Sequence, residues 1–187
     1  MIKRYVLLLV LAFAVAAPVF AQDEPEAAEQ KGFDKSKLFF GGNFGLSFGS
    51  SFTLINVSPQ VGYRFNRYLA AGTGINFIYS SSKYNYLGFR DNYGVAGLNI
   101  FGRFYPIEQI LAQVQPEMNY TWGKRKYDGG GETKLDGKFV PSLLVGAGAA
   151  IPIGGRGAMI VMLQYDVLQN ERGPYGKNAF INVGFNF

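Results

Sequence analysis

The chain contains no cysteine and no histidine. Without cysteine there is no disulfide framework, no thiolate metal site and no lipid-anchored N-terminal Cys. Without histidine, the commonest general base and the commonest metal ligand are both missing. That removes most hydrolase mechanisms before any motif is considered. Long apolar runs are also scarce: none follows Ala21. What is abundant is Gly (25), Phe (17) and Tyr (12), a mixture suited to short strands and tight turns. The formal net charge of +5 includes Lys3 and Arg4 of the extreme N-terminus. The other charges are scattered, which points to loop and interior positions and not to a nucleic-acid partner.

Lys3 and Arg4 precede an apolar run from Tyr5 to Ala17, and Val19-Phe20-Ala21 follows with residues that signal peptidase accepts. The pattern predicts a secretory signal over 1–21, cut after Ala21. The run is too short for a membrane anchor, which needs about 20 apolar residues. Asp23, Glu24, Glu26, Glu29 and Asp34 then outnumber Lys31 and Lys35, in a stretch poor in aromatics. This predicts an acidic, solvated periplasmic linker over 22–36, with a single domain over 37–187.

From Leu38 onward the residues alternate. Phe40, Phe44, Leu46 and Phe48 share one face, with Gly41, Asn43, Gly45 and Ser47 on the other. Successive strand side chains point to opposite faces, so this is a strand with one apolar side. The pattern recurs in seven further segments, over 57–65, 69–80, 96–104, 112–122, 142–151, 159–166 and 179–187. The fifth is the clearest: Ala112, Val114, Pro116, Met118, Tyr120 and Trp122 against Gln113, Gln115, Glu117, Asn119 and Thr121. In the seventh, Ile160 and Met162 interrupt the polar side.

A soluble barrel of the lipocalin kind also alternates, but its outer face is charged. Here the polar side carries Gly, Ser, Asn and Gln with few charges, so the Phe- and Leu-rich side faces outward, as against lipid. Tyr63, Tyr79, Tyr120, Trp122 and Tyr165 fall near strand ends, where interfacial aromatics sit. In hydrocarbon every backbone amide must be paired within the protein, so the sheet must close. The fold expected is all-β: an eight-stranded, antiparallel, up-and-down transmembrane β-barrel preceded by a cleaved signal peptide. Short turns are expected around Asn66, around Glu108 and at Gly154-Gly155. Long loops are expected over 81–92, 123–137 and 168–176, with a short first one near Gly49. Pro106 should end the fourth strand, and Pro59, Pro116 and Pro141 should bring bulges or irregularity.

Three stretches carry a family resemblance: Gly62 to Gly72 (GYRFNRYLAAG), Phe101 to Pro106 (FGRFYP), and the aromatic-ended run Ala179 to Phe187. With the signal peptide, they resemble the small outer-membrane β-barrels common in Bacteroidota, the porin-family or OmpX/OmpA-like barrel domains. The resemblance implies a Gram-negative outer-membrane location. It also implies recognition by the barrel-assembly machinery, with Ile181, Val183, Phe185 and Phe187 as the matching positions. It supplies no catalytic residues.

Barrel enzymes of that membrane generally rest on a histidine, so no enzyme, no metal and no cofactor is expected. Gly72-Thr73-Gly74 lacks the βαβ setting of a dinucleotide loop, and Gly129-Gly130-Gly131 reads as a loop tip. Arg64, Arg103, Glu117 and Asp166 should point into the lumen and be hydrogen-bonded by Gln60, Asn99, Gln113 and Gln115. An eight-stranded barrel is only just wide enough for side chains to fill it. Lys124, Arg125 and Lys126 form a basic cluster at the start of a surface loop, within reach of lipopolysaccharide phosphates. The function expected is a non-enzymatic outer-membrane protein with a structural, envelope-integrity or loop-mediated surface-binding role. A narrow channel for small solutes and a component of a secretion or envelope-assembly complex are the alternatives. Expected partners are outer-membrane lipid, lipopolysaccharide and the assembly machinery, with no nucleic acid; no oligomeric state is implied.

Overall fold

The structure is a computed structural model that describes residues 34–187. The expected signal peptide and residues 22–33 of the expected linker lie outside the described residues. The last linker residues lead into a short 3-10 turn at Lys35–Lys37, where the Asp34 carboxylate accepts from the Ser36 N–H at 2.9 Å.

Eight strands follow: β1 Leu38–Phe48, β2 Phe52–Arg64, β3 Leu69–Tyr84, β4 Phe89–Ile107, β5 Ile110–Tyr127, β6 Glu132–Gly154, β7 Gly157–Asp166 and β8 Phe180–Asn186. Each pairs antiparallel with its neighbour in sequence, and β8 returns to β1, giving a closed up-and-down barrel. The start of β1 and the end of β8 share one end of the barrel, called here the terminal end. The connections 65–68, 108–109 and 155–156 also lie there; 49–51, 85–88, 128–131 and 167–179 lie at the far end.

The alternation in the sequence is the alternation of the wall. In β5, Leu111, Gln113, Gln115, Glu117, Asn119 and Thr121 are buried inside, while Val114, Met118, Tyr120 and Trp122 are exposed outside. Phe40, Phe44 and Phe48 of β1, Leu98 and Ile100 of β4, and Ile181 of β8 also stand exposed on the outer surface. Small interior residues make room for large ones. A Cβ at Gly97 would lie 2.1 Å from Asn119 Oδ1, so the glycine leaves the space that the amide fills.

The interior is layered. At the terminal end, Ala70, Tyr105, Leu111, Ala150, Ile160 and Met162 form an apolar cluster, with Phe39 packed against it. This explains why Ile160 and Met162 interrupt the polar face of β7. Above this cluster polar side chains predominate, with Phe101, Leu144, Val95 and Val140 buried among them.

The expectations for two loops and for Pro106 are corrected, and the irregularity expected at prolines is found at Pro59 and Pro116 but not at Pro141. The stretches 81–92 and 123–137 are not long loops. They are hairpin arms joined by the short connections 85–88 and 128–131; only 167–179 is a long irregular segment. Their outer face is polar and their inner face mixes Asp91 and Arg125 with the aromatic group Tyr84, Phe89 and Tyr127, so the apolar-out contrast of the wall does not mark them as strand. Pro106 does not end β4, which runs to Ile107. Register shifts fall at Phe104/Ile107, Thr121/Gly123 and Pro152/Gly154, so two bulges sit at prolines other than those expected. At Pro59 and Pro116 the ladder to β3 and to β4 is interrupted while the register is kept. Pro141 pairs normally with Met118 and sits beyond the part of β6 that pairs with β7.

Candidate functional site

The central lumen holds one directed chain of hydrogen bonds. Arg103 of β4 is buried and donates from Nε to Gln113 Oε1 at 2.5 Å and from Nη2 to Gln60 Oε1 at 3.0 Å. With the Asn186 amide turned so that its nitrogen donates to Phe185 O, its oxygen accepts from Arg103 Nη1 at 2.9 Å. Gln113 Nε2 donates to Gln115 Oε1 at 2.6 Å, and Gln115 Nε2 donates to Glu117 Oε1 at 2.6 Å. The three side chains stand at alternate positions of β5, which is why they touch in a column. Every amide points the same way, oxygen toward Arg103 and nitrogen toward Glu117. A buried cation and a buried carboxylate are thus joined by two polarised amides, without direct contact.

Glu117 Oε2 accepts two more bonds, from Asn119 Nδ2 at 2.8 Å and from the Tyr175 hydroxyl at 2.7 Å. Tyr175 belongs to the long connection 167–179, so that segment reaches into the far mouth. It stacks on Phe180 with ring centroids 5.0 Å apart. Asp166, also buried, fixes the start of this segment: its Oδ1 accepts from Leu143 N at 3.0 Å and Leu168 N at 3.1 Å. Tyr93 donates to Arg172 O at 2.7 Å, and Arg172 donates to Asp136 O. The lumen is therefore stopped at both ends, by the apolar cluster and by the Tyr175 segment.

The expected lumen residues separate into two groups. Arg103, Glu117, Gln60, Gln113 and Gln115 form the chain. Asn99 donates to Asn76 Oδ1 at 2.7 Å, Asn76 Nδ2 donates to Asn119 Oδ1 at 3.3 Å and Asn119 donates to Glu117, so Asn99 reaches the same carboxylate by a second relay, whereas Asp166 binds backbone. Arg64 differs from expectation: it is exposed at the terminal end, its guanidinium 5.1 Å from the Tyr105 ring centroid. It occupies the last position of β2, where the wall no longer encloses it. Sequence reasoning missed Tyr175 and Asn186, because nothing local marks a loop residue or a terminal Asn as facing Glu117 or Arg103.

The expected basic cluster is also rearranged. Lys124, Arg125 and Lys126 lie in strand β5, not in a loop, so alternation divides them. Arg125 binds Asp91 in a two-pronged pair, Nε to Oδ1 at 2.7 Å and Nη2 to Oδ2 at 2.7 Å, and lies 4.1 Å from the Phe89 ring centroid. The Asp91 hydrogen bonds push the Arg125 guanidinium above its ordinary range. Lys124 and Lys126 instead join Lys83 and Arg90 along a concave surface of about 480 Å³ that Tyr79, Tyr127 and Asp128 complete. Cross-strand register builds this row: Lys83 pairs with Arg90, and Arg90 with Lys126. Like charges directly opposite are destabilising, so the row is suited to an anion that separates them.

Ile181, Val183 and Phe185 of β8 are exposed on the outer wall, and Phe187 bonds Phe40 through both backbone groups. Among the described residues no group of His, Cys, Asp and Glu is placed to hold a metal ion. Compared with protein-family models and with curated proteins, the chain matches none.

Proposed function

We propose that this protein is exported by its N-terminal signal to the Gram-negative outer membrane and spans it as a non-enzymatic barrel. In this reading the lumen is a closed structural core, and the far rim binds phosphates of lipopolysaccharide. The observation that carries the reading is the continuous outer band of exposed apolar residues. Leu98 is 65% exposed, Ile100 62%, Phe40 61% and Ile181 71%. A water-soluble protein rarely leaves so large a contiguous apolar surface bare. The outward run of β3 from Leu69 to Tyr79 suits the about 9–11 residues that a tilted strand needs to cross hydrocarbon. Above it the outward side chains turn basic, with Tyr79, Tyr120 and Trp122 at the change. The basic row would thus stand at head-group level, facing lipid phosphate.

The packed lumen supports a scaffold over a channel, since conduction needs an unobstructed polar path. The reading also assigns β8 to recognition by the assembly machinery, through the outward Ile181, Val183, Phe185 and Phe187. The test is insertion. Refolded protein should co-float with phospholipid vesicles and run at a heat-dependent position on a gel. Protein that stays in the aqueous fraction, with its band unmoved by heating, would refute the membrane reading.

A further inference from the structure

The barrel closes unevenly between its first and last strands. β1 and β8 pair only at Gly41↔Asn186, Gly42↔Phe185 and Asn43↔Gly184. Two backbone bonds between Phe40 and Phe187, of 3.0 and 2.7 Å, extend the contact toward the terminal end. Continuing the register would set Phe44 against Val183 and Ser47 against Phe180, but those pairs do not form. Both segments remain strand on their other sides, Phe44–Phe48 against β2 and Phe180–Val183 against β7.

The split is encoded locally. Gly42, at the level where the strands part, has φ of 141°, a conformation L side chains rarely adopt. A Cβ there would lie 2.3 Å from Ser58 O and 2.7 Å from Pro59 Cα. Pro59 is the cross-strand partner of Gly42, and the β2–β3 ladder is interrupted at the same level. A glycine kink in β1 and a proline in β2 thus bend the wall together, away from β8.

A cavity of about 240 Å³ occupies the split. It is lined by inward Asn43 and Asn182 and also by outward Phe44, Ile181 and Val183. A space bounded by both faces of the same two strands passes through the wall. Its inner end is uncharged: Asn56, Ser58, Asn76, Gln115 and Tyr175 line it together with the apolar Leu144 and Phe180, and no Lys, Arg, Asp or Glu does. Glu117 stands just behind, bonded to the lining residues Gln115 and Tyr175.

We propose that this seam binds a single-chain amphiphile with a neutral, hydroxylated head group. The head enters between Asn43 and Asn182, and the alkyl chain leaves over Phe44, Ile181 and Val183. The volume equals that of about eight waters, which suits a glycerol-sized head. A carboxylate or phosphate head would lose its water without meeting a cation, and would approach Glu117. The free strand edges also leave peptide groups that hydroxyls can satisfy where lipid cannot. The inference rests on the membrane reading above, because the chain must end in lipid.

The experiment uses the full chain in phosphatidylcholine nanodiscs. Monolauroylglycerol is compared with lauric acid and lauroyl-lysophosphatidylcholine, and retained adducts are read by native mass spectrometry. Gly45 lies in the cavity wall, and a Cβ there meets only Asn56 Cβ at 3.7 Å, so Gly45→Leu fills the seam without backbone strain. Asn56→Leu removes the acceptor for the Ser58 hydroxyl while keeping the branched shape of the side chain. Monolauroylglycerol should be retained about tenfold over both controls, and each variant should abolish that preference. Equal retention of the three lipids, or a preference unchanged in both variants, would overturn the proposal and leave ordinary annular lipid. A chain that fails to enter nanodiscs would overturn the membrane reading with it, whereas insertion without head-group preference overturns the seam site alone.

Discussion

Replacing Arg103 by Met tests the lumen chain most directly. The substitution keeps a long side chain but removes the donors to Gln60, Gln113 and Asn186. Each orphaned buried amide oxygen costs about 1–3 kcal/mol. Three of them at the low end give a loss of about 3 kcal/mol, and the Glu117 carboxylate loses its distant counter-charge as well. Glu117→Gln removes the other charge and turns one of the two accepting oxygens into an NH2 donor, so either Gln115 or the Asn119–Tyr175 pair loses its acceptor. If the two charges communicate through the Gln113 and Gln115 amides, the double variant should be less destabilised than the sum of the singles, by about 1 kcal/mol or more. The assay is reversible urea unfolding in phospholipid vesicles, read by the fluorescence of the single tryptophan, Trp122. Two results would refute the reasoning: Arg103→Met within about 0.5 kcal/mol of the parent, or strict additivity in the double variant.

Three further outcomes follow from the same geometry. The unaltered protein should insert into planar bilayers without discrete conductance steps. Tyr175→Ala alone should stay silent because the apolar cluster still closes the terminal end, and Tyr175→Ala with Tyr105→Ala should conduct; steps from the parent would revive the channel reading. Replacing Lys83, Arg90 and Lys126 together by alanine should weaken binding to lipopolysaccharide-bearing vesicles by about 10–100-fold at low salt, from about 1 kcal/mol per cation less screening. Replacing Arg125 and Asp91 together by alanine should change that binding by less than about twofold, since the pair carries no net charge. Gly42→Ala should lower the urea midpoint by the equivalent of about 1–3 kcal/mol, because its φ and the nearby Pro59 backbone leave no relaxed place for a methyl group. A midpoint equal to the parent's would show that the kink is not required.

The strand count, the antiparallel order and the outward face could be read from the sequence, because each rests on a period-two contrast between apolar and polar neighbours. That contrast is strong in β5 and supplied nearly its whole inward column, from Gln113 to Thr121. It vanishes where the outer face turns polar and the aromatic residues Tyr84, Phe89 and Tyr127 move to the inner one, so the arms that lengthen β3–β6 at the far end read as loops. With them went the basic row, since only cross-strand register brings Lys83, Arg90 and Lys126 together from three strands. Alternation also could not show that Arg64 lies at an exposed strand end while Arg103, on the same inward face, is buried among amides. Nor could it place Tyr175 on Glu117, a contact made by a long connection folding back over the mouth. A single strand's residues carry its faces. Closure of the barrel decides depth, register and partners, because those depend on where seven other segments of the chain come to rest.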